Sequence, residues 1–286
     1  MKEVFRPRTF SELWQLRRQH ENAALYAGGT DLLVQMRAAK INPQTLICLE
    51  RLAEIGRIEE FNDEIAIGAG VSQHHLLENP TILKYFPVLC QALQALGSPH
   101  IRNMATIGGN IMTASPAGDT LPPLYILQAE LELRSQKTQR RLPLADFING
   151  PGQTGISPGE ILSRIFIPKE PVFAGHYFEK IGLRQALSIA VVSIAALYNI
   201  STERKITAIR LAWGSLGPTI VTLPEVETFL IGKTLNPATL NAAATLVEQQ
   251  VKPISDIRAG ADYRRRVAGQ LLLRLDQPAN YRQTSA

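Results

Sequence analysis

The 286-residue chain is 45% hydrophobic and 19% charged, a composition that supplies a buried core and excludes a disordered chain. Its length is generous for one core and predicts two or three subdomains. A net charge of +5 is mild and argues against a nucleic-acid binder, which concentrates Lys and Arg on one face. Only Arg264, Arg265 and Arg266 cluster, on what reads as the solvated side of an amphipathic helix.

Residues 1–56 read as a β-α-β block, with AALYA as strand, TDLLVQMRAA as helix and QTLICLE as strand. Thr30 or Asp31 stands at the helix N-cap position, directly after Gly28 and Gly29. Residues 57–170 open on the hairpin RIEEF-ND-EIAIGAG, turned at Asn62 and Asp63. Helical patterns follow at 72–78 and 81–96, then a glycine-rich segment at 97–119, a further helix, and the strands AELELRS, QRRLPL and EILSRIFIP. Pro168, Pro171 and Gly175 in PKEPVFAG mark a boundary near residue 170. Residues 171–286 then show three strand-like runs, GHYFEKIG, LSIAVVSIAALYNI and KITAIRLAWGS, before the helices NPATLNAAATLVEQQV and GADYRRRVAGQLLLRL. Strands and helices in runs, rather than in strict alternation, predict an α+β fold. The N-terminus has no apolar signal core and no run of about 18 apolar residues occurs, so the reading is a soluble, cytoplasmic protein.

Side-chain catalytic motifs are scarce. Gly68 and Gly70 end a strand as a dinucleotide fingerprint would, but Gln73 occupies the third glycine position. Gly232-Lys233-Thr234 resembles the end of a phosphate loop, yet Glu227 stands where the first glycine belongs. His20, His74, His75, His100 and His176 are scattered, and there is no zinc spacing and no esterase or kinase set. Cys48 and Cys90 are flanked by apolar residues and read as buried hydrophobes; two thiols are too few for an iron–sulfur cluster, which needs about four ligands. Chemistry here therefore belongs to a bound cofactor.

SPHIRNMATIGGNIMTASPAGD, residues 98–119, holds a second glycine pair, Gly108 and Gly109, followed by Asn110. Ile101, Met104, Ile107, Ile111 and Met112 predict that this segment is largely buried. Buried irregular backbone needs partners for its N–H groups, and a dinucleotide diphosphate would supply them where glycine removes the obstructing Cβ. The same reasoning applies at Gly28 and Gly29, where a helix N-terminus adds a favourable dipole. A plain turn is the competing reading for either pair alone.

Together these residues resemble the FAD-binding subunit of the molybdenum hydroxylases, the xanthine dehydrogenase and carbon monoxide dehydrogenase type. The resemblance rests on AGGTDLL, IRNMATIGGNIMTASPAGD, NGPGQTGISPGEIL, FEKIGLRQALSIAVVS and DIRAGADYRRRVAGQLL, in the family's order along nearly the whole chain. It implies a two-part FAD-binding domain of the vanillyl-alcohol-oxidase/p-cresol-methylhydroxylase type, residues 1–56 and 57–170. A C-terminal α+β domain, a three-stranded antiparallel sheet with helices, would follow at 171–286.

The resemblance also implies roles. Ala27, Gly28, Gly29, Thr30 and Asp31 would form the first diphosphate loop, and Thr106, Gly108, Gly109 and Asn110 the second. Asp119 would bind ribose or ribityl hydroxyls, although a helix N-cap is its plainer reading. Leu96 and Gly97 would cover the adenine, and Leu162 and Lys180 would lie near the isoalloxazine. Their neighbours Leu25, Tyr26, Leu32, Ala105, Met112 and Gly118 complete the implied cofactor-binding set. No residue is implied as a catalytic acid or base, and no metal ligand. The implied partners are a [2Fe–2S] iron–sulfur subunit and a molybdopterin-binding large subunit, with NAD+ as the expected electron acceptor and oxygen or a quinone as alternatives. No nucleic acid and no membrane is implied. The competing functions are a self-contained flavin oxidoreductase and a flavin-free scaffold subunit.

Overall fold

The alternation in the N-terminal block becomes a small parallel sheet in the computed structural model, which describes residues 2–184 and 188–276. Strands β1 (Glu3–Phe5), β2 (Ala24–Tyr26) and β3 (Thr45–Cys48) pair in the order β1-β3-β2. Parallel pairing requires crossovers, supplied by the helices Phe10–Gln19 and Leu32–Arg37. Thr9 caps the first of these, its hydroxyl accepting from the Glu12 N–H at 3.2 Å. Phe10, Leu13 and Trp14 fall on one helical face and pack on Ile47, Leu52, Ile55 and Ile161.

The second block is built on an antiparallel sheet. Strands β4 (Ile58–Glu60), β5 (Glu64–Gly68), β6 (Glu130–Arg134) and β7 (Gln139–Pro143) are joined, after a short ribbon of β8 (Ile148–Gly150) and β9 (Gln153–Thr154), by β10 (Ile161–Pro168). The order is β4-β5-β10-β6-β7, and β4 and β5 form the expected hairpin. Two helical expectations need correction. The pattern at 81–96 is two helices, Pro80–Tyr85 and Pro87–Ala95, because Pro87 has no N–H to continue the ladder. Residues 97–119 are not irregular either: they contain the helices Pro99–Met104 and Ile107–Thr113, capped by Ser98 and Thr106. Ile107 and Ile111 are buried, but Ile101 and Met104 are about half exposed, so burial covers only the second helix's inner face.

The C-terminal block places β11 (Gly175–Gly182), β12 (Ala190–Ile200) and β13 (Ile206–Gly214) in one antiparallel sheet, extended by the two-residue β14 (Val221–Thr222). Successive residues of β12 serve different cores, as the two-residue strand period requires. Val192, Ile194 and Ala196 face Trp213, Leu240 and Val247 on the helical side, while Ala195 and Leu197 join the core of the second block. Arg264 is a further correction. It is 1% exposed, donating to the carbonyls of Val191 (2.9 Å) and Ser215 (3.1 Å) and pairing with Asp256 at 2.6 Å. Only Arg265 and Arg266 occupy the wetter side of that helix. Among the described residues, no helix is long and apolar enough to cross a membrane.

Candidate cofactor site

The first glycine pair leaves β2 at Tyr26 and turns the chain into helix Leu32–Arg37. Gly29 makes that turn with φ +71°, a left-handed conformation in which a Cβ is disfavoured. Gly28 serves a different need. A Cβ on it would lie 1.6 Å from the carbonyl oxygen of Met104, so two backbone segments cross there in contact. Asp31 stands at the N-cap position without capping. Its Oδ2 instead accepts from Gln35 Nε2 (2.7 Å) and from Thr113 Oγ1 (3.4 Å), linking the first loop to the second. Among the described residues, the backbone N–H groups of 28–32 donate no hydrogen bond. The helix behind them is only six residues long, so these donors, rather than a macrodipole, make the wall suited to an anion.

The second pair differs. Segment 69–73 runs antiparallel to 105–108 and takes up its backbone groups: Ile107 N–H donates to Val71 O (3.1 Å), Gly108 N–H to Ala69 O (2.9 Å) and Gln73 N–H to Ala105 O (2.9 Å). Thr106 Oγ1 accepts from Gly109 N–H at 3.0 Å, and its carbonyl from Asn110 N–H at 3.1 Å. The expectation of unpartnered N–H groups here is therefore overturned, because a neighbouring strand-like segment and a side-chain cap supply the acceptors. Gly108 is a packing glycine. Its missing Cβ would sit 2.5 Å from the Ala69 Cβ.

A cavity of about 600 Å³ opens between the two loops. Leu25, Tyr26, Ala27, Gly28, Gly29, Thr30, Asp31, Leu32, Ala105, Thr106, Gly109, Asn110 and Met112, all expected from the sequence, line it. Gln35, Gln73, Thr113 and Gly152 line it as well and were not expected. Helical spacing points to two of these, since Gln35 lies four residues after Asp31 and Thr113 four after Gly109. Gln73 and Gly152 arrive only through tertiary contacts. Burial, with the Cys48 thiol beside it, pushes the Tyr26 phenol up to about 12. The ring stays neutral at the cavity wall.

The remaining expected residues lie outside this cavity. Gly108 is turned to Ala69, and Gly118 closes a turn onto Ser115 O (2.8 Å). Leu96 and Gly97 end helix Pro87–Ala95, where their carbonyls accept from Arg102 Nη1 at 2.9 and 3.0 Å. Leu162 is buried on β10 beside Leu133. Asp119 and Lys180 meet each other: the ammonium on β11 lies 2.5 Å from Asp119 Oδ2 and also donates to Ser188 O at 3.1 Å. Burial pushes the Asp119 carboxyl up to about 6 even though Lys180 pulls the other way. Its Oδ1 is buried with no partner. Asn110 Oδ1 accepts from Thr120 Oγ1 at 2.5 Å, tying the second loop to the segment that carries Asp119. In the fourth resemblance stretch, Gln185, Ala186 and Leu187 lie outside the described residues.

A row of free N–H groups at the wall of a cavity of about 600 Å³, with a buried unpartnered acceptor beyond it, fits a dinucleotide cofactor. Residues 1–170 match the family model described as the FAD binding domain in molybdopterin dehydrogenase, and residues 176–279 match the CO dehydrogenase flavoprotein C-terminal domain. The chain belongs to this flavoprotein family. It is 31% identical over 263 residues to the xanthine dehydrogenase FAD-binding subunit of Escherichia coli O157:H7, covering 91% of this chain and 89% of that one. Among solved structures, quinoline 2-oxidoreductase from Pseudomonas putida 86 superposes with a TM-score of 0.91 at 26% identity, over 96% of this chain and 95% of that one. The Cu,Mo-CO dehydrogenase in its cyanide-inactivated form gives 0.89 at 28% identity, with 96% and 95% covered. This flavoprotein is thus an oxidoreductase subunit that binds FAD and transfers electrons within a molybdenum-hydroxylase-type complex. The α+β architecture expected from the sequence agrees with these relatives.

Proposed function

We propose that this subunit links [2Fe–2S] clusters on a partner chain to NAD+, in a cytoplasmic, xanthine dehydrogenase-like complex that also contains a molybdopterin-binding large subunit. FAD, when bound, supplies the exchange between one-electron and two-electron carriers. The chain's own residues hold and orient it. The free N–H groups of 28–32 carry the reading, since each charge-assisted hydrogen bond to a diphosphate contributes about 1.5–3 kcal/mol. Thr106, Gly109 and Asn110 form the facing wall, and Gly108 acts behind it by fixing the backbone. Asp119 Oδ1 accepts from a sugar hydroxyl, while Lys180 and Leu162 border the isoalloxazine and Leu96 and Gly97 the adenine. In this reading residues 1–56 and 57–170 are the two halves of the flavin domain and 171–286 the domain that closes over it.

Purified protein should be yellow and release flavin on denaturation; a chain that stays colourless after incubation with FAD would sink the flavin assignment. Isolation from the native host should bring down an iron–sulfur chain and a molybdopterin chain. Full dehydrogenase activity in a lone monomer would overturn the partnership. Substrate-reduced complex should be reoxidised by NAD+, and a complex that reacts only with oxygen or a quinone would refute the acceptor.

A further inference from the structure

Gln73 opens the helix Gln73–Glu78, just after Ser72, whose hydroxyl caps the helix by accepting from His75 N–H at 3.1 Å. Its backbone is locked to the second glycine loop by the bond to Ala105 O and by the isolated bridge between Ser72 and Thr106. The residue is 1% exposed, between the core residues Val71 and Leu76. Its side chain nonetheless ends in a polar group whose Oε1 is buried with no hydrogen-bond partner. A buried acceptor left unsatisfied destabilises a fold, and an apolar residue of the same size would be more stable there. The same residue lines the cavity between the two glycine loops. A polar group kept at a cost to the fold, at the wall of a ligand cavity, indicates a partner that arrives with the ligand.

We propose that Gln73 is a further cofactor-binding residue, its side-chain carbonyl accepting a hydrogen bond from a hydroxyl of the dinucleotide's sugar–diphosphate spine. Phosphate oxygens are acceptors only and cannot satisfy this atom; the sugar hydroxyls are donors. The inference rests on the flavin reading above.

Gln73→Met keeps length and volume and removes the hydrogen-bonding group. It should raise the Kd for FAD about tenfold, the loss of one well-placed hydrogen bond, measured by flavin fluorescence quenching on FAD-stripped protein. The FAD-stripped variant should melt at the same temperature as the stripped parent or higher, because an unsatisfied buried atom is gone. Those opposite movements separate a ligand contact from a structural role. An unchanged Kd, or a Kd and melting temperature that worsen together, would overturn the proposal. Gln73→Leu, which also fills the site without a hydrogen-bonding group, serves by the same two measurements if the Met variant does not fold. Failure of the parent protein to bind FAD would instead refute the flavin reading itself, and would be seen before any variant is made.

Discussion

The two glycine pairs look alike in sequence, yet they do opposite things with their backbone. Around Gly28 and Gly29 the N–H groups of 28–32 are left without partners and the loop faces the cavity. Around Gly108 and Gly109 nearly every N–H group is taken up by segment 69–73 or by Thr106. In each pair the first glycine is needed for chain packing, against Met104 or Ala69; Gly28 borders the cavity as well, beside Gly29, whereas in the second pair only Gly109 does. A glycine pair near a cofactor therefore need not mean two close approaches to the ligand. One residue lets the backbones meet, and that meeting places the other.

The sharpest way to break this division of labour is Gly28→Ala. A Cβ 1.6 Å from a backbone oxygen cannot be relieved by a side-chain rotation, so the loops must separate. A loss of about 3 kcal/mol or more is expected, with loss of FAD retention as a consequence; urea unfolding that matches the parent would show that the crossing is dispensable.

Asp119, at the far end of the second loop, comes next. Its carboxyl is raised from 3.8 to about 6 by burial, so folding favours the protonated form. The stability it contributes is present in full below 3.8 and is lost as pH rises through about 6, a swing of up to about 3 kcal/mol. Asp119→Asn should lack that decline, so its stability relative to the parent rises between pH 4 and 7. Parallel pH–stability curves for the two proteins would mean that Asp119 is not buried as described.

Gly108→Ala should cost about 1–3 kcal/mol through overpacking on Ala69, and Ala69→Gly in the same chain should restore part of it. A double variant no more stable than the single would place the clash on the Ala69 backbone, whose carbonyl oxygen would lie 2.6 Å from the new Cβ, rather than on its methyl group. Gly29→Ala costs less, about 1–2 kcal/mol from the left-handed φ, and Gly29→Asn should recover part of that loss. Gly109→Ala is the mildest for the fold. It sits in a helix, where alanine is favoured by about 0.5–1 kcal/mol, and its Cβ would meet only Thr106 Oγ1 at 3.0 Å. It should fold as well as the parent and still bind FAD more weakly, because the methyl group enters the shared cavity; equal FAD affinity would place Gly109 with the packing glycines.

Much of the site was legible because its parts are local. Gly28 and Gly29 fall between a strand and a helix, and Thr106 caps the helix carrying Gly109 and Asn110; such signals lie within a few residues of one another. The errors arose where long-range contact decides. The segment at 97–119 reads as unpartnered backbone because nothing near it in sequence reveals that 69–73 runs alongside. Arg264 reads as solvated because its partners, Val191 O, Ser215 O and Asp256, include two that lie far from its own helix.

By itself the sequence determined the α+β order of elements, the hairpin and strand runs, the turn at Gly29 and the family motifs, since propensity, capping and periodicity act over a few residues. Tertiary structure alone decided which glycine of each pair packs against a distant segment, joined Asp119 to Lys180 across 61 residues, and carried Gln73 to the cavity wall. Those outcomes depend on which distant segments share one volume, and steric fit and hydrogen-bond satisfaction settle that only when the chain has folded.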